Sequence, residues 1–284
     1  MNVCTLTFAW RMFTDAPLVV AANRDESYDR PSDPPSITND THHPAIVAPQ
    51  DCRAGGTWIG YNAAGRFVGL TNRWTSVPSH TDDNNEMTDN DRRSRGQLVT
   101  ELLTERGPTN PKAAVRDAIN EHTYDGFNLL IADVGWNDDR DPMAMTFEWD
   151  GALDITQIDP GVHVVVNVGR NNRYMNPEDT DRDSGVVAAQ TNNAQRIHNQ
   201  LSEYAHTAAT ATKWRNRAAD MLSNHKFGVC IHNESQSFGT VSGSLITLRA
   251  DKKGTYHYAD GPPCTTMFEH VEKTLHTGHK HRTP

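Results

Sequence analysis

The sequence is short of cysteine: Cys4, Cys52, Cys230 and Cys264 are scattered over 284 residues, with no Cys-x-x-Cys pair among them. That scarcity argues against a disulfide-stapled fold and against a structural zinc site of the usual spacing. Long apolar runs are also missing, and nothing approaches the roughly 20 residues that a membrane span needs. There is no basic excess: 27 Lys and Arg stand against 36 Asp and Glu, a net charge of −9. A nucleic-acid-binding surface would ordinarily carry the opposite sign, so no nucleic-acid partner is expected. The opening Met1-Asn2-Val3-Cys4 lacks the basic start and apolar core of a secretory signal, which predicts a cytoplasmic protein. No Walker A loop, GxGxxG after a strand or HExxH occurs, so nucleotide, dinucleotide and zincin readings fall away. No cofactor is predicted, and Cys-x-x-Cys-His, the haem-attachment motif, is absent.

What is present suits a folded chain: 36% hydrophobic residues and 22% charged ones. Apolar runs of strand length occupy Thr5 to Trp10 and Leu18 to Ala22, joined by Thr14-Asp15-Ala16-Pro17. A short piece is expected at Ala45 to Ala48, and a glycine-cornered hairpin from Gly55 to Asn72. Val77 to Asp91 is polar and aperiodic and reads as an exposed loop. Helices are predicted over Ser94 to Glu105, with Ser94 and Gln97 at capping-box spacing, and over Pro111 to Glu121. Strands follow at Gly126 to Asp133, Met143 to Trp149, Leu153 to Ile158 and Val162 to Val168. Arg170 to Gly185 reads as loose. Two helices, Val186 to Glu203 and Ala208 to Leu222, precede a last β-rich block at Gly228 to His232, Gly239 to Ala250 and Thr255 to Tyr258. Strands, helices, strands, helices, strands make an α+β layered sandwich, not a βαβ alternation. One domain is expected over residues 1–271, with a frayed polar tail over 272–284 that holds His276, His279 and His281.

The most informative stretch is Ala21-Ala22-Asn23-Arg24-Asp25-Glu26, followed by Tyr28-Asp29-Arg30-Pro31. It carries a strand's apolar end straight into charge, and charge at a core edge is where pKa perturbation arises. The chain resembles the NRDE family, also called the transport and Golgi organization 2 family, named for that tetrapeptide. The likeness includes the Cys-Thr-Leu opening at Cys4, Gly55-Gly56-Thr57-Trp58-Ile59-Gly60 and Leu70-Thr71-Asn72. It continues through Ser94-Arg95-Gly96-Gln97-Leu98-Val99, Tyr124-Asp125-Gly126-Phe127-Asn128-Leu129 and Gly239-Thr240.

The resemblance implies an N-terminal-nucleophile-hydrolase-like fold, a four-layer αββα sandwich of two mainly antiparallel sheets. It implies a cysteine amidohydrolase cleaving a small amide through an acyl-enzyme on Cys4. The α-amino group of Cys4 would serve as base, because a thiol is mostly protonated at neutral pH until a base removes its proton. Arg24 and Asp25 would orient Cys4, and Asn72 and Asn167 would supply oxyanion or substrate contacts. Asn23, Glu26, Trp58 and Asn128 complete the expected substrate-binding set. The alternative is a non-catalytic protein that handles haem, lipid or acyl-CoA in the same pocket; either way the partner is a small molecule.

Two departures from the family pattern stand out. Asn2 and Val3 precede Cys4, so removing Met1 alone leaves no free α-amine there; one reconciliation is initiation at the codon read as Val3, followed by trimming. Family members often carry Arg after the late Gly-Thr, where this chain has Val241. Of the other cysteines, Cys230 reads as a buried strand thiol. Cys230 and His232 share a strand face, but two ligands do not make a metal site, and none is predicted. Cys52 and Cys264 sit beside turn residues and receive no role.

Overall fold

The computed structural model describes residues 4–38, 44–75, 92–104, 110–136, 141–177, 180 and 182–271. In chain order the elements are β1 (Thr5–Trp10), β2 (Leu18–Ser27), β3 (Ser32–Thr38), β4 (Ile46–Asp51), β5 (Ile59–Asn62) and β6 (Arg66–Asn72), then α1 (Arg95–Thr104) and α2 (Pro111–Glu121). Next come β7 (Phe127–Asp133), β8 (Met143–Trp149), β9 (Leu153–Gln157), β10 (Gly161–Val166), β11 (Gly169–Arg170) and β12 (Arg173–Tyr174). The chain continues through α3 (Ser184–Thr207), α4 (Ala211–Leu222), β13 (His232–Asn233), β14 (Phe238–Leu248), β15 (Gly254–Ala259) and β16 (Glu269–His270).

The strands form two antiparallel sheets. One runs β12-β11-β10-β1-β2-β14-β15-β16, with β13 also paired to β14; the other runs β3-β4-β5-β6-β7-β8-β9. Side-chain alternation builds the layers, because successive residues of a strand point to opposite faces. Leu6, Phe8 and Trp10 of β1 pack with Leu18 and Val20 of β2 and with Leu130 of β7, forming the core between the sheets. Their neighbours Ala9, Val19 and Ala21 face the other way, onto Ile197 and Leu201 of α3 and Trp214 of α4. On the far side Val68, Leu129 and Ile131 meet Leu98, Leu102 and Val115 of α1 and α2. The result is the αββα sandwich. Every residue of β7 is buried, which is why its sequence runs apolar without alternating.

The structure moves several sequence-based boundaries. Strand β2 does not stop at Ala22; it continues through Asn23-Arg24-Asp25-Glu26 to Ser27, because β14 pairs with it along that length. Strand β3 is an addition to the sequence-based elements; it is an edge strand, where Pro34 and Pro35 are tolerated. The stretch expected to be loose from Arg170 contains the tight hairpin of β11 and β12. Asn171 and Asn172, both at positive φ, form its two-residue turn. Gly228 to His232 is a strand only at its end. The expected loop Val77 to Asp91 and the tail 272–284 lie outside the described residues.

One half-buried histidine follows from that hairpin. His163 of β10 stacks on Phe8 with centroids 4.9 Å apart. Its Nε2 faces the Asp159 carbonyl at 3.0 Å, and its Nδ1 faces the Asn171 side-chain amide at 2.6 Å. Asn171 Oδ1 is already occupied by the Val164 N–H, so its NH2 is the group presented to His163. A neutral imidazole protonated on Nε2 satisfies both contacts, and a second proton on Nδ1 would oppose a donor. Burial, with His198 and Arg170 adding to it, lowers the His163 pKa from 6.5 to about 4. The unfolded chain therefore takes up this proton first as pH falls, and stability declines between those two values. His163→Gln is expected to flatten that part of the stability profile, measured by urea unfolding at a series of pH values.

Candidate active site

Because Asn23 to Glu26 lie within a strand, their side chains alternate. Asn23 faces the helical layer, where its Nδ2 donates to the Leu222 carbonyl at 3.0 Å and the Val229 carbonyl at 2.7 Å. Arg24 faces the second sheet. Its guanidinium donates to Asp51 Oδ2 and Ser32 Oγ, each at 3.2 Å, and lies 4.3 Å over the Trp58 ring. Asp25 turns back with Asn23 and accepts a short hydrogen bond from the Thr240 hydroxyl. Glu26 pairs with Arg30 at 3.5 Å.

Asp51 is the hub on the opposite sheet. Its Oδ2 accepts from Arg24 and from Arg30 Nε at 2.7 Å, while its Oδ1 accepts the backbone N–H groups of Arg53 and Ala54. Four charge-assisted donors on one buried carboxylate fix the two arginines relative to each other. The same turn holds α1. Gly56 lies against the backbone of Gly96, where an added Cβ would come within 2.2 Å of Gly96 C, and Thr57 N–H donates to the Gly96 carbonyl. Only glycine permits that approach. It places Arg95, the first residue of α1, at the edge of the same space.

These elements enclose a cleft of about 410 Å³ at the end of the sandwich, with Cys4 at the head of β1 on its wall. Cys4 Sγ lies 3.6 Å from the Asp25 carbonyl oxygen. Burial and the negative charge of Asp25 push this thiol up to about 12, with Arg24 opposing. Burial also drives the Asp25 carboxyl well above the usual carboxylate range, the Thr240 bond pulling against it and Glu26 adding to it. Its Oδ2 is buried and has no hydrogen-bond partner among the described residues. Burial lowers the Arg95 pKa; Asp125, Cys4 and Glu26 oppose this, and Arg30 reinforces it. A net-negative chain thus lines this cleft with Arg24, Arg30, Arg53, Arg92, Arg93 and Arg95. Carboxylates neutralise part of that charge, and the remainder favours an acidic ligand.

The sequence profile of the family Transport and Golgi organisation 2 matches residues 3–259. The chain belongs to that family. Among curated relatives, the mouse Transport and Golgi organization 2 homolog is 33% identical over 119 residues, and the human one 32% over 118. Each of these matches takes in 41% of this chain and 39% of the relative. Among solved structures, penicillin V acylase from Agrobacterium tumefaciens superposes with a TM-score of 0.51 at 14% identity, over 95% of this chain and 87% of that one. A variant of conjugated bile acid hydrolase from Clostridium perfringens gives 0.53 at 9% identity, over 99% and 100%. At such identities the likeness concerns the fold, which is that of the N-terminal-nucleophile hydrolases.

The tetrapeptide for which the NRDE family is named therefore serves two faces of one strand. Cys4, Asn23, Arg24, Asp25, Glu26, Trp58 and Asn72 all border the cleft. Asn128 and Asn167 are not among its lining residues. Asn128 Nδ2 donates to Thr71 Oγ1 at 3.2 Å and to the Val166 carbonyl at 3.0 Å, tying one sheet to the other. Asn167 is fully buried, with its Nδ2 on the Asn72 carbonyl at 2.8 Å and its Oδ1 accepting from Gln190. Asn167 thus holds the Asn72 carbonyl firmly, and Asn128 reaches the same carbonyl at 3.5 Å. Val241 is the extra residue of a bulge in β14 opposite Arg24 and Asp25, and no cation enters the cleft from that position.

Sequence reading missed Asp51, Arg30 and Arg95 as site residues. Asp51 had no local signal, being an isolated acid before a turn. Arg95 was in view within Ser94-Arg95-Gly96-Gln97, but as part of a helix start. Asp51→Ala leaves two arginines without their shared carboxylate, one of them buried at 6% exposure. Loss of a buried partner of this kind costs about 3 kcal/mol or more. A drop of that size in chemical-denaturation stability is expected, with Asp51→Asn intermediate.

Proposed function

We propose that the chain is a cysteine amidohydrolase of the N-terminal-nucleophile type, with Cys4 as nucleophile and a small acid-bearing amide as substrate. The observation that carries this reading is a cysteine at the head of β1 in a cleft rich in arginine, beside a buried carboxylate with one oxygen unpaired among the described residues. With residues 1–3 attached, the thiol is a weak nucleophile. Its raised pKa keeps it almost wholly protonated at neutral pH. Release of the Cys4 α-amino group changes both terms. An ammonium beside Asp25 supplies the unpaired Oδ2 with a donor, and its neutral form takes the thiol proton.

Attack by the thiolate on the amide carbonyl forms a tetrahedral intermediate. Protonation of the leaving nitrogen by the α-ammonium expels the amine and leaves a thioester on Cys4. Water, deprotonated by the same amine, then hydrolyses the thioester, releasing the acid and restoring the thiol. Arg24 is held by Asp51 and Trp58 and adds positive potential near the sulfur. Arg95 and Arg30 stand at the rim, where the acidic part of a substrate would meet them. The wider cellular role and a cytoplasmic location belong to this proposal as well. Among the described residues no helix is long and apolar enough to cross a membrane.

The test compares the full chain with one whose first residue is Cys4. Iodoacetamide is expected to label Cys4 at least about tenfold faster in the second protein near neutral pH. An activated N-acyl amide should then give a burst of one acyl group per chain, abolished by Cys4→Ala. Cys4 labelling in that protein no faster than at Cys52 and Cys264 overturns the reading. So does stoichiometric uptake of haem or acyl-CoA with the ligand unchanged and no turnover of any amide, which marks a carrier.

A further inference from the structure

Outside the cleft, two separate pieces of chain bring His225, Cys230, His232 and Cys264 together. One ligand atom from each lies within 4.8 Å of all the others. His232 Nε2 is 3.1 Å from Cys264 Sγ and 3.9 Å from Cys230 Sγ, and the His225 and His232 rings are 5.2 Å apart. We propose that this cluster is a structural site for zinc(II), bound by two thiolates and two imidazoles.

The donor set selects the metal class. Two sulfurs and two ring nitrogens with no carboxylate suit a borderline-soft ion and disfavour magnesium and calcium. Zinc–sulfur bonds of about 2.3 Å and zinc–nitrogen bonds of about 2.0 Å put the corners of a tetrahedron roughly 3.3–3.8 Å apart. The two measured contacts bracket that range, and the widest pair needs a contraction of only about 1 Å. Four protein ligands complete the tetrahedron and leave no open position, the mark of a structural site.

The backbone is arranged to hold these groups. His225 opens a single helical turn ending at Phe227, and Gly228 at φ 63° reverses the chain toward Cys230. That left-handed dihedral angle is what favours glycine at this reversal. Beyond it the Ile231 N–H donates to Thr240 Oγ1 at 2.9 Å, and His232 pairs with Gly239 of β14. Cys264 enters from the turn that follows Pro262 and Pro263, where Thr265 and Thr266 donate to the Pro262 carbonyl. His225 and His232 are exposed and Cys230 is buried, so a metal can reach the cluster from solvent.

Zinc would replace the direct His232–Cys264 contact, with both thiols giving up their protons. It would fasten the arm 225–232 and the turn 262–264 to the start of β14. Thr240, whose hydroxyl holds Asp25, lies in that strand. The metal therefore braces one wall of the cleft without entering it.

The test uses the reduced full-length chain and cobalt(II), with zinc as competitor. One equivalent of cobalt is expected, giving the intense visible bands of a tetrahedral site and near-ultraviolet thiolate charge transfer, both lost on adding one equivalent of zinc. Cys230→Ser and Cys264→Ser should each weaken zinc binding at least about tenfold and diminish the charge-transfer band. His225→Ala, at an exposed position, should weaken binding while keeping the native circular dichroism, so the site stays testable if Cys230→Ser does not fold. Cys52→Ser and the triple change His276→Ala, His279→Ala, His281→Ala should leave cobalt binding unaltered. No uptake by reduced protein, a weak octahedral spectrum, or bands that survive Cys230→Ser with Cys264→Ser overturns the proposal. Bands lost in the triple variant, or a Cys230–Cys264 disulfide that resists mild reductant and excludes metal, also overturn it.

Discussion

A buried ion pair spanning the two sheets governs the cleft. Arg24 leaves β2 on the face that looks toward the second sheet, and Asp51 at the end of β4 meets it there at 3.2 Å. Two charges withdrawn from water at a sheet junction are tolerable only when their geometry and remaining hydrogen bonds are good. Ser32, Trp58, Arg30 and two backbone N–H groups supply that completion. The turn after Asp51 then leads to the Gly56–Gly96 approach, which fixes the start of α1 and hence Arg95. One carboxylate thus sets the spacing of three of the arginines around Cys4.

On the other face of β2 the problem is inverted. Asn23 and Asp25 point toward the helical layer. Asn23 meets two backbone carbonyls, and among the described residues the side chain of Asp25 meets the Thr240 hydroxyl alone. A carboxyl that is both desolvated and underbonded favours its proton, and a thiol beside it does the same. The polarity of the site is therefore divided by strand alternation, with fixed cations on one side and proton-holding groups on the other. The bulge at Val241 adjusts β14 at that point, bringing Thr240 opposite Asp25 while Ser242 pairs with Arg24. Bulges of this kind commonly re-aim side chains beside functional sites.

Much of the fold was legible in the sequence. Thr5–Trp10, Pro111–Glu121 and Met143–Trp149 begin and end where apolar patterning and proline placement put them, because their boundaries are set by local chemistry. The extension of β2 through four polar residues was not legible, since the pairing that stabilises it comes from β14, more than two hundred positions away. The amides of Asn128 and Asn167 show the same limit. Each ends or lies within an apolar run and looks available for a ligand, yet long-range carbonyls already occupy it. Cys264 is the converse case, a residue beside turn signals that tertiary folding carries to within 3.1 Å of His232.

By itself the sequence determined the alternation that produces four layers, the family, and the identity of the thiol and its polar neighbours. Those depend on residue type and near spacing, which the chain carries locally. The tertiary structure decided which polar groups meet: Asp51 with Arg24 and Arg30, Thr240 with Asp25, and the four cysteine and histidine side chains below β14. Such partners are joined by closure of long loops, whose entropic cost grows slowly with length and leaves no short-range pattern to read. The scarcity of cysteine still excludes a disulfide framework, but it does not set where the four thiols end up.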